Sequence, residues 1–405
     1  MPATRWWGGA VASGGLRRAP DRRQRGAARG AGALRRGART CQGFRVNEFG
    51  VYVHVPFCAK RCDYCAFATY ADRDHLMNDY VEAVVAEIER ANEEGLEVAT
   101  SVFFGGGTPS RLAPEQLLRI LEAIERDPGA EVTVECNPED ASLERLVAYR
   151  RGGVTRMSFG VQSTQPAVLA DLGRRHGTGA HRDVAQRVTQ AGFTTWNMDL
   201  IVGSRAENLD DVRATLRDLL TLENPPPHVS CYALTPEPGT PLGQDPARHP
   251  DEDETADAYD LVGEVLEAHG YLWEEISNWA TPGHECRHNH VYWDRGNYRG
   301  FGSAAHSHDR GRRFWNVRTP DRYVELVRRG ESPQGGEELL DEATQRFESD
   351  SLALRTRRGV AIEAFDSLDE IAHLVNVDEG RVTLRPRARL VANQVIVRLS
   401  SADEH

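Results

Sequence analysis

From Val51 onward the chain repeats one hydrophobic pattern. A short apolar run gives way to polar residues, and a longer stretch follows with apolar positions at helical spacing. VYVHV (51–55) predicts a strand, and His75–Asn92 predicts a helix. SVFFGG predicts the second strand and Pro114–Arg126 the second helix, with Pro114 at its first turn. The alternation continues with strand EVTVEC, helix Ser142–Arg151, strand RMSFGVQ, helix Arg182–Ala191, strand TTWNMDLIV, helix Asn208–Thr221 and strand HVSCYA. Strand and helix recur at about thirty-residue spacing, which argues for parallel β/α units in a closed or partly closed barrel. In such folds the chemistry gathers at the C-terminal strand ends, and the polar residues of these strands fall there repeatedly.

Outside this core the pattern changes. Residues 254–269 read as an amphipathic helix, and 271–315 are rich in aromatic residues and histidine. Beyond Tyr323 the spacing suggests a small helical domain, whose end, GRVTLRPRARLVANQVIVRL, resembles a β wing followed by a helix. The expected organisation is therefore a core over 47–245, a connecting region over 246–320 and a C-terminal helical, winged-helix-like domain over 321–405. Residues 1–46 are dominated by Gly, Ala and Arg without an apolar face. They are read as a disordered extension without function, whose translation from Met1 is left open.

Charge narrows the function. The chain of 405 residues carries a net −12, yet residues 1–46 hold 11 Arg against the single acid Asp21. With +10 there, the remainder stands at −22. An acidic body argues against nucleic acid as a partner, and no helix of the C-terminal wing shows a basic face. No apolar run approaches the length of a membrane span.

The candidate chemistry starts at CAKRCDYCAF. Cys58, Cys62 and Cys65 stand at C-x3-C-x2-C directly after the first strand. Thiolates are the soft ligands of iron–sulfur clusters, and three of them leave one iron of a cubane open. A structural zinc is the alternative, with His54 as a fourth ligand in H-x3-C-x3-C-x2-C. A disulfide is disfavoured because the seven cysteines number odd and no signal sequence is evident.

Further motifs follow in order: Gly105-Gly106-Gly107-Thr108-Pro109 after the second strand, Glu135 on the third, SFGVQS on the fourth, LGRRH, NMDLI, CYAL and finally RHNHVYW (287–293). With the cysteine spacing, this series resembles the radical S-adenosylmethionine proteins. Within them it is similar to the oxygen-independent coproporphyrinogen III oxidase-like branch, from about Val51 almost to the C-terminus. The resemblance implies an α/β fold, a partial (β/α)6 radical SAM barrel. It implies a [4Fe-4S] cluster on Cys58, Cys62 and Cys65, and S-adenosylmethionine beside Tyr52, Tyr64, Gly106, Gly107, Thr108, Glu135, Gln162, Arg174, Asp199 and Ala233. In it the carboxylates suit ribose hydroxyls and Arg174 a ligand carboxylate, with Arg175 as its alternative. The implied chemistry is reductive cleavage of the sulfonium to methionine and a 5′-deoxyadenosyl radical.

Two features choose within the branch. Its porphyrinogen-oxidising members carry a fourth cysteine two residues after the third, where this chain has Phe67. RHNHVYW matches HNxxYW, which the branch links to haem. His288 is the first candidate ligand by resemblance, with Tyr292, Trp293 and His306 as further haem-binding candidates; His290 occupies a variable position. The resemblance thus implies a haem chaperone with haem as third cofactor. Its implied partners are a haem-acceptor apoprotein, such as a respiratory-chain component, and an electron donor for the cluster. Its implied location is cytoplasmic, with a peripheral membrane contact only through the acceptor. The alternative is a coproporphyrinogen III dehydrogenase that decarboxylates propionates; Phe67 weighs against it, and whether the protein is an enzyme stays open. One departure stands out: GSRAEN (203–208) replaces the usual Gly-x-Pro-Gly turn.

Overall fold

Short apolar segments buried on both faces form the middle of one large sheet. The computed structural model describes residues 48–399, so the expected extension over 1–46 lies outside the described residues. The chain runs β1 (Phe49–Val55), α1 (Met77–Glu93), β2 (Ala99–Gly106), α2 (Pro114–Ala123), β3 (Arg126–Cys136), α3 (Leu143–Arg151), β4 (Arg156–Gln162), α4 (Pro166–Asp171), α5 (Ala180–Gln190), β5 (Thr195–Val202), α6 (Leu209–Leu220) and β6 (His228–Ala233). These six strands pair in parallel in sequence order. Local chemistry sets the helix starts. Pro114 begins α2, Ser142 Oγ accepts from Arg145 N at α3, and Asn208 caps α6 by accepting from the N–H groups of Asp210 and Asp211.

The six expected strands are present, each followed by helix. Two details differ: α4 precedes the expected fourth helix, and α2 stops at Ala123 because β3 already begins at Arg126. The larger difference lies downstream. After α7 (Glu252–Ala268) come β7 (Leu272–Glu275) and β8 (Asn278–Ala280); β8 pairs antiparallel with β6, and β7 antiparallel with β8. Following α8 (Arg287–Trp293), the chain returns to the other edge. There β9 (Asn297–Phe301) pairs in parallel with β1, and β10 (His306–Asp309), β11 (Arg312–Asn316), α9 (Pro320–Arg328) and β12 (Gln334–Leu339) follow. The result is a mixed twelve-stranded sheet, β12-β11-β10-β9-β1-β2-β3-β4-β5-β6-β8-β7, which does not close into a full barrel. These added strands are short, which is why the 271–315 region shows aromatic content and no strand alternation in sequence.

Next come α10 (Glu342–Leu354), β13 (Val360–Ala361), β14 (Val375–Asp378), β15 (Arg381–Leu384) and α11 (Ala392–Ile396), with a three-stranded sheet β13-β15-β14. The β14–β15 hairpin followed by α11 is the helical, winged-helix-like element. It has its own apolar cluster, including Leu354, Phe365, Val382 and Val395. Helix α9, by contrast, packs Tyr323, Val324 and Val327 into the main core. No helix among the described residues is long and apolar enough to cross a membrane.

Glu87 of α1 pins the returning segment to the sheet. It is buried, and it accepts from Tyr323 Oη at 2.6 Å, Asn316 Nδ2 at 2.9 Å and Gly302 N at 3.1 Å. Burial raises its carboxyl above the usual range, and these donors oppose that shift. Removing the acceptor strands three buried donors, so Glu87→Ala should lower the unfolding free energy by about 2–4 kcal/mol. Urea denaturation of the two proteins measures the difference.

Candidate functional site

Strand β1 delivers the cysteine loop. The loop is closed by Cys58 N donating to Tyr70 O at 3.0 Å and Tyr70 N to Pro56 O at 2.8 Å; Cys65 N donates to Cys62 O at 3.2 Å. Cys58 is buried, whereas Cys62 and Cys65 are half-buried, and all three are free thiols. Two of them carry a neighbour suited to a thiolate. Thr108 Oγ1 donates to Cys58 Sγ at 3.7 Å, and Arg174 Nη1 donates to Cys62 Sγ at 3.4 Å. Burial pushes the Cys58 thiol up to about 11 and raises that of Cys65, and the sulfurs lie close enough to oppose one another's ionisation. A metal centre would displace those protons and relieve that repulsion. The donor set therefore fits an iron–sulfur cluster.

The zinc alternative loses its fourth ligand here. His54 is buried with both ring nitrogens engaged, Nδ1 with Tyr52 Oη and Nε2 with Ala68 O, each at 3.0 Å. Burial lowers its pKa to about 4. Among the described residues no three His, Cys, Asp or Glu side chains are grouped to hold a single metal ion.

The glycine run meets this loop directly. Gly106 has φ +111°, and a Cβ there would lie 2.5 Å from the His54 ring. Gly107 N donates to Val55 O at 2.8 Å, and a Cβ on Gly107 would come within 2.7 Å of Phe57 O. The close approach expected toward a ligand is, in the fold itself, an approach to the end of β1. It seats Thr108 on Cys58.

Sheet register then sets a row of polar side chains. Glu135 stands beside Ser158, Asp199 between Gly160 and Ser230, and Ala233 beside Val202. Burial, then the nearby Asp199 carboxylate, pushes Glu135 up to about 8. Burial also raises Asp199, against hydrogen bonds that favour its charge; Asn197 Nδ2 donates to its Oδ1 at 2.6 Å. The Tyr52 phenol is raised by burial and by Glu135. Gln162 ends β4 with φ +66°, and its buried Oε1 has no partner; the same is true of Arg174 Nε. The Arg174 guanidinium also bonds Asn137 Oδ1 at 2.8 Å and Gly160 O at 2.7 Å, while Arg175 is exposed. Asn137, which also donates to Thr108 Oγ1 at 3.1 Å, was not legible as a site residue; its only signal is its place in the strand-end run ECNPE. Tyr64 packs against the small cluster of Val168, Leu172, Ile201, Leu234 and Leu242, and burial raises its phenol. Phe67 leaves its ring 49% exposed beside the loop.

The HNxxYW residues are split between two environments. His288 is 1% exposed, stacks on Phe103 at 5.3 Å, and bonds Ser101 Oγ at 3.0 Å and Tyr292 Oη at 2.8 Å. Burial drops its pKa to about 3. Tyr292 is half-buried, edge-on to Tyr298 at 4.7 Å, and close enough to Tyr52 and Glu135 to sense both. Trp293 is buried close to Glu275, so its face is not offered for stacking. His290 is buried near Glu274 at 3.7 Å. His306 is half-buried on β10, stacked on Trp315 at 5.7 Å, and burial lowers it to about 4.

The GSRAEN stretch forms its own turn: Gly203 N donates to Glu207 Oε2 at 2.9 Å, and Ser204 Oγ donates to Asp171 Oδ2 at 2.6 Å.

A family model for the Radical SAM superfamily matches residues 52–219, which spans the cysteine loop, the glycine run, Glu135 and Asp199. The chain is a radical SAM protein, a class whose cofactors are a [4Fe-4S] cluster and S-adenosylmethionine. It belongs to the HemW family. It is 39% identical to the heme chaperone HemW of Mycobacterium tuberculosis over 371 residues, covering 86% of this chain and 94% of that protein. Against HemW of Escherichia coli it is 36% identical, over 65% of this chain and 70% of the relative. The solved coproporphyrinogen III oxidase HemN of Escherichia coli superposes with a TM-score of 0.76 at 22% identity, covering 86% and 89% of the two chains, a likeness of fold alone.

Glu135 gives a pH test. Its folded pKa of about 8 lies above the usual 4.5, so the folded state holds this proton more tightly than the unfolded chain. Stability from that proton is full below about pH 4.5 and is lost as pH rises toward 8. Glu135→Gln should therefore gain stability relative to wild type between pH 5 and pH 8. Chemical denaturation at both pH values reads the change, and no gain contradicts the assigned environment.

Proposed function

We propose that the protein is a haem chaperone that carries a [4Fe-4S] cluster and S-adenosylmethionine and passes haem to an acceptor apoprotein. The observation that carries this reading is the likeness to HemW proteins over most of both chains. Phe67 supports it, since a phenyl ring neither ligates iron nor moves a proton at the position where porphyrinogen-oxidising relatives have cysteine.

In this reading Cys58, Cys62 and Cys65 hold the cluster, with Thr108 and Arg174 stabilising two of the sulfurs in their charged form. Tyr52, Tyr64, Gly106, Gly107, Thr108, Glu135, Gln162, Arg174, Asp199 and Ala233 line the S-adenosylmethionine position. Glu135 and Asp199 accept hydroxyl hydrogens, and the orphan Gln162 Oε1 and Arg174 Nε gain partners there. When bound, the cluster supplies the electron for reductive cleavage of the sulfonium. Glu135 enters ligand binding as a protonated or half-protonated acid near neutral pH, so it donates as well as accepts.

Haem is assigned to the HNxxYW helix and β10. His288 would have to release Ser101 or Tyr292 to reach iron. His306, less enclosed, is therefore the first ligand candidate, and Tyr292 follows once its hydroxyl leaves His288; His288 orients Tyr292, and the buried Trp293 anchors the helix. A cytoplasmic location suits the free thiols, which stay reduced there. The haem acceptor is a haem apoprotein such as a respiratory-chain component, reached at the membrane surface only through that acceptor, and a separate donor supplies the electron.

Anaerobic reconstitution followed by haem titration tests this reading. Wild type should bind cluster and haem, yield no protoporphyrinogen from coproporphyrinogen, and lose the cluster in Cys62→Ala. His306→Ala should weaken haem binding by about tenfold or more, with a smaller loss in His288→Ala. Absence of haem binding by the wild type, or turnover of coproporphyrinogen, overturns the chaperone reading.

A further inference from the structure

Asp63 lies inside the cysteine motif, between Cys62 and Tyr64, and it is held from outside the loop. Arg248 Nη1 donates to Asp63 Oδ2 at 3.0 Å, and the same guanidinium donates through Nε to Asp171 Oδ1 at 3.1 Å and through Nη2 to Asp171 O. Asp171 is held in turn by Ser204 Oγ at 2.6 Å. Asp63 O accepts from Leu242 N at 3.0 Å. Gly173 has φ +70°, and a Cβ there would come 2.9 Å from Asp63 Oδ1, so this backbone is pressed against the aspartate. The next residue, Arg174, reaches Cys62 Sγ.

These contacts join three segments distant in sequence: the loop 58–65, the end of α4 with its turn, and the segment after β6. Leu242 and Tyr64 share one apolar cluster on the same side. The three charged side chains are partly shielded, at 24%, 27% and 15% exposed for Arg248, Asp63 and Asp171. A planar guanidinium bridging two carboxylates fixes direction as well as distance, which a lysine would not reproduce. We infer that Arg248 is a positioning residue: by clasping Asp63 to Asp171 it holds the Cys62–Cys65 turn in ligand-ready geometry before any cluster is present. Through Asp171 the same clasp fixes the turn that carries Arg174, so one side chain sets both a sulfur and its cationic neighbour. The inference rests on the cluster assignment above, but the clasp itself acts on the bare polypeptide.

The test uses the full chain in two states. In the metal-free protein, hydrogen exchange of residues 58–67 should speed up about tenfold in Arg248→Ala and in Asp63→Asn, with no change in the strands β3 to β5. In the reconstituted protein, a chelator should strip iron about tenfold faster from both variants, with Arg248→Lys intermediate. The electron paramagnetic resonance signal of the reduced cluster should broaden in the variants. Asp63→Asn is nearly isosteric and guards against a misfolded alanine variant. Unchanged loop exchange in folded Arg248→Ala and Asp63→Asn overturns the clasp even if the cluster binds. Normal exchange effects with no cluster in wild type would instead sink the cluster assignment and leave the clasp standing.

Discussion

The junction of β1 with β2 is the constraint on which the site depends. Parallel pairing brings Val55 opposite Gly106. Beyond the ladder, Gly107 N and Thr108 N continue onto Val55 O and Phe57 O, so the glycine run is zipped to the first residues of the cysteine loop. The zip closes only because Gly106 and Gly107 lack Cβ atoms; the His54 ring fills the space one side chain would need, and the backbone of 55–57 fills the other. His54 in turn fixes Ala68 and Tyr52. A histidine that reads as a spare metal ligand in sequence is thus the spacer that sets the distance between loop and sheet.

The second constraint is electrostatic. Glu135 lies near Asp199 and near the hydroxyls of Tyr52 and Tyr292, and every one of these groups is pushed toward its neutral form by burial. Two carboxyls close together under burial resist carrying two negative charges at once. Arg174 does not neutralise the carboxylates, because its guanidinium is turned to Cys62, Asn137 and Gly160. Arg174 thus serves the sulfur-bearing side, while Asp199 feels the charge of Arg156.

How much of this was legible follows from residue environment. Strands β1 to β6 announce themselves because parallel strands covered on both faces read as apolar runs, and the cysteine loop and glycine run sit in plain spacing. Strands β7 to β12 do not, because three to six residues such as HSHD or NWA are too short to show a period. The clasp of Asp63 with Arg248 joins residues 185 positions apart, beyond any local signal. Nor does RHNHVYW reveal its burial. It reads as part of an aromatic, histidine-rich stretch, yet His288, His290 and Trp293 are all enclosed.

That last helix has a mechanical consequence. One face of α8 carries His288 and Tyr292 toward Ser101 and Tyr298. The other carries His290 and Trp293 toward Glu274 and Glu275, and Glu274 also pairs with Arg357 while its carbonyl accepts from Arg357 N at 2.9 Å. Asp294, at the helix end, pairs with Arg358. This seven-residue helix is packed on both faces, through the hydrogen bonds of His288 on one and through the burial of His290 and Trp293 on the other. Through the Glu274–Arg357 and Asp294–Arg358 pairs this helix is joined to the segment that leads into the β13–β15 sheet, while His288 joins it to β2.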